Sequence, residues 1–299
     1  GVPLMPAYEL FPSVGVVIPV YNDWQRLQRC LEALAFQSYP RERLQIRVVD
    51  NGSNDWPSQP SFPLPLEVIV HRHPGSYGAR NRAALGWSVD VLAFTDADCE
   101  PDPDWIQAGV KALQWTDRQR RLVAGRIVLE PQTPGHPSVG EQLDQILGFD
   151  QARTVRRAGF GVTANLFVAQ ACFQELGGFH RRTHSGGDRE FCHRAVAAGA
   201  LLLFEAQAIV RHPAREWAEL VRKQRRIVGG RLSLAGDRPF ARLKVLAQSL
   251  RPLISESVRV GRYQPLGWRK RVWLLSLVWR LRLAVLVEWL RLQQQDRTP

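Results

Sequence analysis

Asp96 and Asp98 stand one residue apart, directly after the apolar run Val91-Leu92-Ala93-Phe94-Thr95. The run predicts a strand buried on both faces. The stretch Cys99-Glu100-Pro101-Asp102-Pro103-Asp104 cannot continue it and reads as a loop running into a helix. Open α/β sheets bind their ligands at the carboxyl ends of such strands. Hard divalent cations take oxygen ligands and often bridge a carboxylate to a substrate diphosphate. An acidic loop that merely solvates a strand end has the same spacing, so the rest of the chain must decide.

The elements that would hold these carboxylates alternate along the chain. Val14–Val20 predicts a first strand, and Trp24–Gln37, with Leu27, Leu31, Leu34 and Ala35 on one face, a helix. Strands are expected at Ile46–Val49, Leu66–Val70 and Leu122–Leu129, with a helix over Gly78–Ser88. Strands and helices alternating at this spacing imply a doubly wound, mostly parallel sheet with flanking helices. The first strand lacks the Gly-x-Gly-x-x-Gly turn of a dinucleotide fold.

Composition narrows the classes. A chain of 299 residues that is 45% hydrophobic can fill a large α/β domain and an appendage. Cys30, Cys99, Cys172 and Cys192 form no Cys-x-x-Cys pair, which speaks against a zinc site or disulfide framework and fits a reducing compartment. Gly1–Pro6 shows no basic, apolar leader, so no signal peptide is expected. The net charge of +12 is unevenly spread. After Val210 there are 20 Lys and Arg against 6 Asp and Glu; up to that point there are 20 against 22. The basic half suggests an anionic partner. No aromatic-basic motif points to nucleic acid, and none is expected.

Four segments in register carry a family resemblance. Val17-Ile18-Pro19-Val20-Tyr21-Asn22, then Val48-Val49-Asp50-Asn51-Gly52-Ser53, then Ala79-Arg80-Asn81, then Thr95-Asp96-Ala97-Asp98 resemble the family 2 glycosyltransferases of GT-A fold. The resemblance implies an inverting transfer from a nucleotide-diphosphate sugar, most simply a UDP-sugar, to a lipid-linked or saccharide acceptor. It implies that Pro19, Tyr21 and Asp50 hold the base, that Arg80 lies near base or phosphate, and that Asp96 faces the ribose. Asp98, and His212 at the end of Ala208-Ile209-Val210, would ligate Mn²⁺ or Mg²⁺. The residues themselves suit these roles. A Tyr ring stacks on a base, and a carboxylate accepts the imide N–H of uracil. Read without the resemblance, Tyr21 is a half-buried core residue, Asp50 a turn cap and Arg80 part of a solvated helix face.

Further on, Gly177-Gly178-Phe179 and Gly187-Asp188-Arg189-Glu190 resemble the family's acceptor side, where Glu-Asp usually opens a helix. Here Gly187 replaces the first carboxylate. Asp188 is the expected general base, which inversion requires singly; Glu190 is the alternative, and an N-cap is the structural role open to Asp188. Arg225, Arg226, Asn165 and Glu190 are further candidates for diphosphate or acceptor contacts. The Gln224–Gly230 stretch lacks the Trp of the processive relatives' Gln-x-x-Arg-Trp, so a processive polymerase is not expected. A non-catalytic nucleotide-sugar-binding or membrane scaffold protein is the alternative class.

The chain divides on this reading into an extension (1–13), a catalytic domain (14–215, with 14–130 for the donor and 131–215 for the acceptor) and a basic helical tail (216–299). Val272–Leu290 is strongly apolar but carries Arg280 and Arg282 near its middle, which disfavours a membrane span. With Trp273, Trp279 and Trp289 as anchors it predicts a helix lying on an anionic membrane surface. A helix packed on the catalytic domain, or on a second copy in a homo-oligomer, is the alternative. The expected location is cytoplasmic, peripheral on the cytosolic face of a membrane.

Overall fold

The computed structural model describes residues 11–58, 60–73, 75–114, 120–180, 186–236, 238–264 and 266–295; residues 1–10 of the expected extension lie outside them. The chain divides into two compact units, Gly1–Val128 with Asp150–His212, and Leu129–Phe149 with Pro213–Pro299. Residues 131–149, which the sequence reading groups with the acceptor side, fall in the second unit with the C-terminal helices.

The first unit is built on a sheet of β1 (Val14–Val20), β2 (Leu44–Asp50), β3 (Glu67–Val70), β4 (Val91–Thr95), β5 (Glu100–Pro101), β6 (Arg121–Glu130), β7 (Asn165–Ala169) and β8 (Leu201–Pro213). Their order is β3-β2-β1-β4-β7-β6-β8-β5. β1 and β4 are buried along nearly their whole length, as their largely apolar runs require in a sheet covered on both faces. β1, β2, β3 and β4 are parallel. β7 runs antiparallel to β4 and β6. The sequence does not distinguish its direction, because a short run apolar on both faces reads alike either way.

Flanking the strands in this unit are α1 (Trp24–Ala35), α2 (Ser76–Ala84) and α3 (Trp105–Leu113). α1 buries Leu27, Cys30, Leu31 and Leu34, the stripe its periodicity predicts. α4 (Val139–Leu147) belongs to the second unit; α5 (Gln151–Ala158), α6 (Gln170–Glu175) and α7 (Gly187–Ala197) return to the first. A cluster of rings from Tyr77, Phe94, Phe173, Phe179 and Phe191 ties α2, β4, α6 and α7 together, with centroid separations of 5.1–5.4 Å. Burying one such Phe contributes about 1.5–3 kcal/mol. All four cysteines are buried and form no disulfide.

The second unit is helical: α4, α8 (Trp217–Ala235), α9 (Pro239–Leu250), α10 (Pro252–Arg262) and α11 (Trp268–Gln295). Ser138 and Glu141 form a capping box at the start of α4. α11 inserts Leu274, Leu277, Val278 and Leu281 into one apolar cluster and Val285 into another. One side of α11 is thus core. Trp289, expected as an outer anchor, is partly buried and donates its indole N–H to the Arg242 carbonyl at 3.1 Å. Arg282, one of the two charges near the middle of the apolar run, is buried and bonds Glu256 through both Nε and Nη2. Among the described residues no helix is long and apolar enough to cross a membrane.

Candidate functional site

The site begins where β1 and β4 part. Their register ends at Val17↔Phe94, whereas β1 stays paired with β2 through Val20↔Asp50. Pro19 lies in that last stretch, so its missing N–H removes no bond to β4. The gap opens into a cleft of about 280 Å³ lined by Pro19, Tyr21, Asp23, Asn51, Ser76, Arg80, Asp96 and Asp98, among others. This is the crevice at the carboxyl ends of parallel strands that α/β folds use for ligands.

Loop hydrogen bonds stitch the ends of β1 and β2 together. Asn22, at φ +49°, accepts the Asn54 N–H at 2.7 Å and donates its own N–H to Ser53 Oγ at 2.9 Å. Asp50 Oδ1 accepts the Ser53 N–H at 2.9 Å. Asp50 is therefore a turn acceptor through one oxygen, with the other not engaged in that bond. Tyr21 is 60% exposed, so it is a rim residue and not a half-buried core one. Asp23, which sequence reasoning missed, also lines the cleft. Burial raises its carboxyl above the ordinary value, Arg26 opposes the shift and the charge of Asp98 adds to it.

Arg80 is buried, not on a solvated helix face, and its Nη2 bonds Asp96 Oδ1 at 2.5 Å. Its Nε has no hydrogen-bond partner among the described residues. Asn81 turns the other way: it accepts the Phe179 N–H at 2.8 Å and donates to the Phe179 carbonyl at 2.7 Å, fixing the Gly177-Gly178-Phe179 turn. One short motif thus serves the cleft with one residue and the fold with the next.

The two-residue strand β5 explains the position of His212. β5 pairs antiparallel with β8, Glu100 opposite Arg211, and Arg211 clasps Asp102 with bonds of 2.6 and 3.1 Å. That pairing brings buried His212 Nε2 to 3.3 Å from Asp98 Oδ2. Among the described residues no group of three or more His, Cys, Asp or Glu is placed to hold a metal. Asp98 and His212 form a two-residue set, a carboxylate oxygen and an imidazole nitrogen, that a divalent cation such as Mn²⁺ could share.

Asp188 lies in the first turn of α7. The N-cap is Gly186, at φ +80°, and no side chain caps the helix. This corrects the cap role considered for Asp188: its Oδ1 accepts the Arg189 N–H from within the helix, at 2.8 Å. Burial raises the Asp188 carboxyl above its usual range, against the lowering effects of Arg189, Arg80, Tyr77 and Thr163. Asp188 is not among the residues lining the cleft; Arg80 and Tyr77 link it there, with the Arg80 guanidinium 5.5 Å from the Tyr77 ring. The same ring explains Gly187. A Cβ at position 187 would lie 2.8 Å from Tyr77 Cδ2, so a Glu at this place would collide with it. Tyr77 was also missed by the sequence reading.

Glu190 forms a two-bond pair with Arg194, at 2.8 and 2.9 Å, and that hydrogen bonding holds its carboxyl below the usual value. Arg194 in turn donates to the Leu176 and Gly178 carbonyls. Asn165 is fully buried, accepting from Trp105 Nε1 at 2.8 Å and donating to the carbonyls of Arg126 and Ala208 at 2.9 and 2.8 Å. It holds strands together away from solvent. Arg225 and Arg226 belong to the second unit and are exposed, Arg225 lying 3.9 Å from Glu288.

Residues 15–160 match the family described as glycosyl transferase family 2. Glycosyltransferase AglE of Haloferax volcanii is 34% identical over 229 residues, covering 75% of this chain and 74% of that protein. The pre-mycofactocin glycosyltransferase of Mycobacterium tuberculosis is 30% identical over 213 residues, covering 68% of this chain but 43% of the relative. In fold, the chain is similar to the mannosyltransferase PcManGT of Pyrobaculum calidifontis, solved with GDP-Man and Mn²⁺, with a TM-score of 0.60 at 17% identity over 94% of this chain and 87% of that one. With the cleft, the strand-end carboxylates and the parallel sheet, these likenesses identify an enzyme: the chain belongs to the family 2 glycosyltransferases and has their GT-A fold.

Proposed function

We propose that the first unit binds a UDP-sugar and transfers the sugar, with inversion, to a hydroxyl of a lipid-linked or saccharide acceptor. The observation that carries this reading is the Asp98–His212 pair at 3.3 Å beside the Arg80–Asp96 pair, both at the open end of β4. Tyr21 stacks on the base, Asp50 accepts its imide N–H, and Asp96, steadied by Arg80, meets the ribose. Asp98 and His212 hold Mn²⁺ or Mg²⁺, and the like charges of Asp23 and Asp98 facing one cleft favour a cation there. When bound, the metal acts as a Lewis acid on the diphosphate leaving group. Asp188 takes the proton of the acceptor hydroxyl as that oxygen bonds C1 from the face opposite the diphosphate, which departs with the electrons of the C1–O bond. A carboxyl raised by burial is a better base near neutral pH than an ordinary one. Glu190, committed to Arg194, is the weaker choice. Arg225 and Arg226 are exposed cations suited to an anionic acceptor group. The enzyme works at the cytosolic face of a membrane.

The fold neighbour's GDP-Man and Mn²⁺ support a nucleotide-sugar donor and a metal. They also make GDP the proper competitor to UDP, since guanine offers its ring N1–H to Asp50 as well. Thermal shift with UDP and GDP, with and without Mn²⁺, tests the donor, because a ligand that binds the native state stabilises it by mass action. UDP with Mn²⁺ should stabilise the wild type, and Asp98→Ala should remove the metal dependence. Metal-independent binding in the wild type, or an unaltered Asp98→Ala, overturns the metal role; preference for GDP overturns the base.

A further inference from the structure

The sequence leaves α11 a choice between membrane surface and protein core, and the structure divides the helix lengthwise. Leu274, Leu277, Val278, Leu281 and Val285 are buried in the second unit. On the other side Trp268, Val272, Trp279, Leu283, Val287 and Leu290 are exposed, the two tryptophans by 71% and 62%. At 100° per residue these six fall within an arc of about 100°. They run for about 33 Å at 1.5 Å per residue. Within that arc and length only Ser276 and, at the arc's edge, Arg269 are polar; a soluble surface rarely carries so long an apolar stripe.

Charge selects the occupant. Arg269, Arg280 and Arg291 follow one edge of the stripe, eleven residues apart, and all three are exposed. The Arg280 guanidinium lies 5.9 Å from the Trp273 ring and that of Arg269 5.5 Å from the Trp268 ring. These two cations are therefore each held beside an indole, an arrangement suited to the boundary between headgroups and acyl chains, while Arg291 pairs with Glu288 at 2.6 Å. The sequence after Val210 is strongly basic, so pairing this face with its copy would bring like charges together, whereas anionic headgroups would be attracted.

We infer that the outward face of α11 is a contact surface for a bilayer containing anionic phospholipid, with the helix lying in the interface plane. The inference rests on the proposed membrane location and is independent of the transfer chemistry. It also changes the useful experiment, since deleting α11 would remove core residues, whereas its outer residues can be replaced singly.

Flotation of the full chain with phosphatidylserine-rich vesicles, and with phosphatidylcholine alone, is the test. The wild type should float with the anionic vesicles. Trp279→Ser with Leu283→Ser should lower the bound fraction about tenfold or more, removing two large apolar groups that would enter the bilayer. Arg269→Glu with Arg280→Glu should abolish the preference for phosphatidylserine. Circular dichroism melts should match the wild type, because all four side chains are exposed. A wild type that does not float, or variants that float equally well, overturns the inference. So does a dimer in light scattering that the Trp279→Ser, Leu283→Ser variant dissolves while vesicle binding is absent. A chain that floats but binds no nucleotide leaves this surface standing and defeats the donor reading alone.

Discussion

Two arginines, one in each unit, are buried to the same 4% exposure and meet different surroundings. Arg282 sits among α8–α11 with Glu256 on Nε and Nη2, and with the Ser249 carbonyl at 3.1 Å from Nη1. Arg80 has the carboxylate of Asp96 on Nη2 and an Nε without a partner among the described residues. Glu256 is itself 16% exposed at its side chain, while Asp96 is 32% exposed and faces the cleft. A buried cation matched on several sides holds a fold together. One left with a spare donor beside an open crevice is available to a ligand, since an unmatched buried donor is costly and a bound acceptor would relieve it.

The largest expected effect tests the reacting end of that cleft. Asp188→Asn keeps size and the Arg189 bond while removing basicity, and transfer should fall about 10²–10⁴-fold with UDP affinity nearly unchanged. If Glu190→Gln is the inactive variant instead, the base has been misassigned. A product of retained anomeric configuration by NMR would defeat the single-base mechanism.

The next effect separates the two arginines directly. Arg282→Met strands Glu256 in a largely buried site, and breaking such a pair costs about 3–5 kcal/mol. Denaturant unfolding should report that loss while UDP binding by the native protein persists. Adding Glu256→Leu should restore much of it, because an apolar pair of similar volume replaces a buried ion pair well. Arg80→Met should do the reverse, losing donor binding for a smaller loss of stability, as Asp96 can draw on solvent. Equal stability losses with unaltered binding in both variants would erase the distinction.

The sequence makes one of these regions far more legible than the other. Asp96 and Asp98 announce themselves because an apolar run, a loop and two carboxylates are contiguous. Asp50 and Tyr21 come from the family resemblance; on pattern alone they read as a turn cap and a half-buried core residue. What positions Asp188 is not contiguous: Tyr77 stands more than a hundred residues before Gly187, and only the packed ring accounts for the glycine. The cap was misread because Gly186 takes a left-handed conformation that leaves Asp188 inside the helix. Asn165 looks polar and available in sequence, yet burial commits its amide to three structural bonds. Arg282 sits beyond pattern reasoning altogether, since its partner Glu256 lies on another helix.

A smaller effect concerns stability against pH. Asp188 binds its proton more tightly folded than unfolded, so from the ordinary carboxylate value up to its raised one the native state holds the extra proton. Stability contributed by this group is present at low pH and falls as pH rises through that window. Asp188→Asn should therefore melt at a slightly higher temperature than wild type at neutral pH, with the gap closing on acidification. The variant that loses most activity would be the more stable one, as expected where a catalytic group is held in an unfavourable site. A lower melting temperature at neutral pH would mean that the bonds to Asp188 outweigh its burial.

The smallest effect isolates Tyr77. Hydrogen bonding from this residue lowers the Asp188 carboxyl, against the larger opposing effect of burial. Tyr77→Phe keeps the ring that faces Gly187 and the contact with Phe179, and removes only the hydroxyl. The Asp188 carboxyl should then rise further, and the acidic limb of the pH–kcat profile should move to higher pH, while the plateau above it changes little. A purely structural ring would leave that limb in place. Gly187→Ala supplies the contrast: its Cβ displaces the ring and should lower the plateau itself, and combining it with Tyr77→Leu, which removes the aromatic face, should recover part of the loss. If Tyr77→Phe lowers the plateau as much as Gly187→Ala does, with the limb fixed, then Tyr77 acts by packing alone and Arg80 is left as the connection between Asp188 and the cleft.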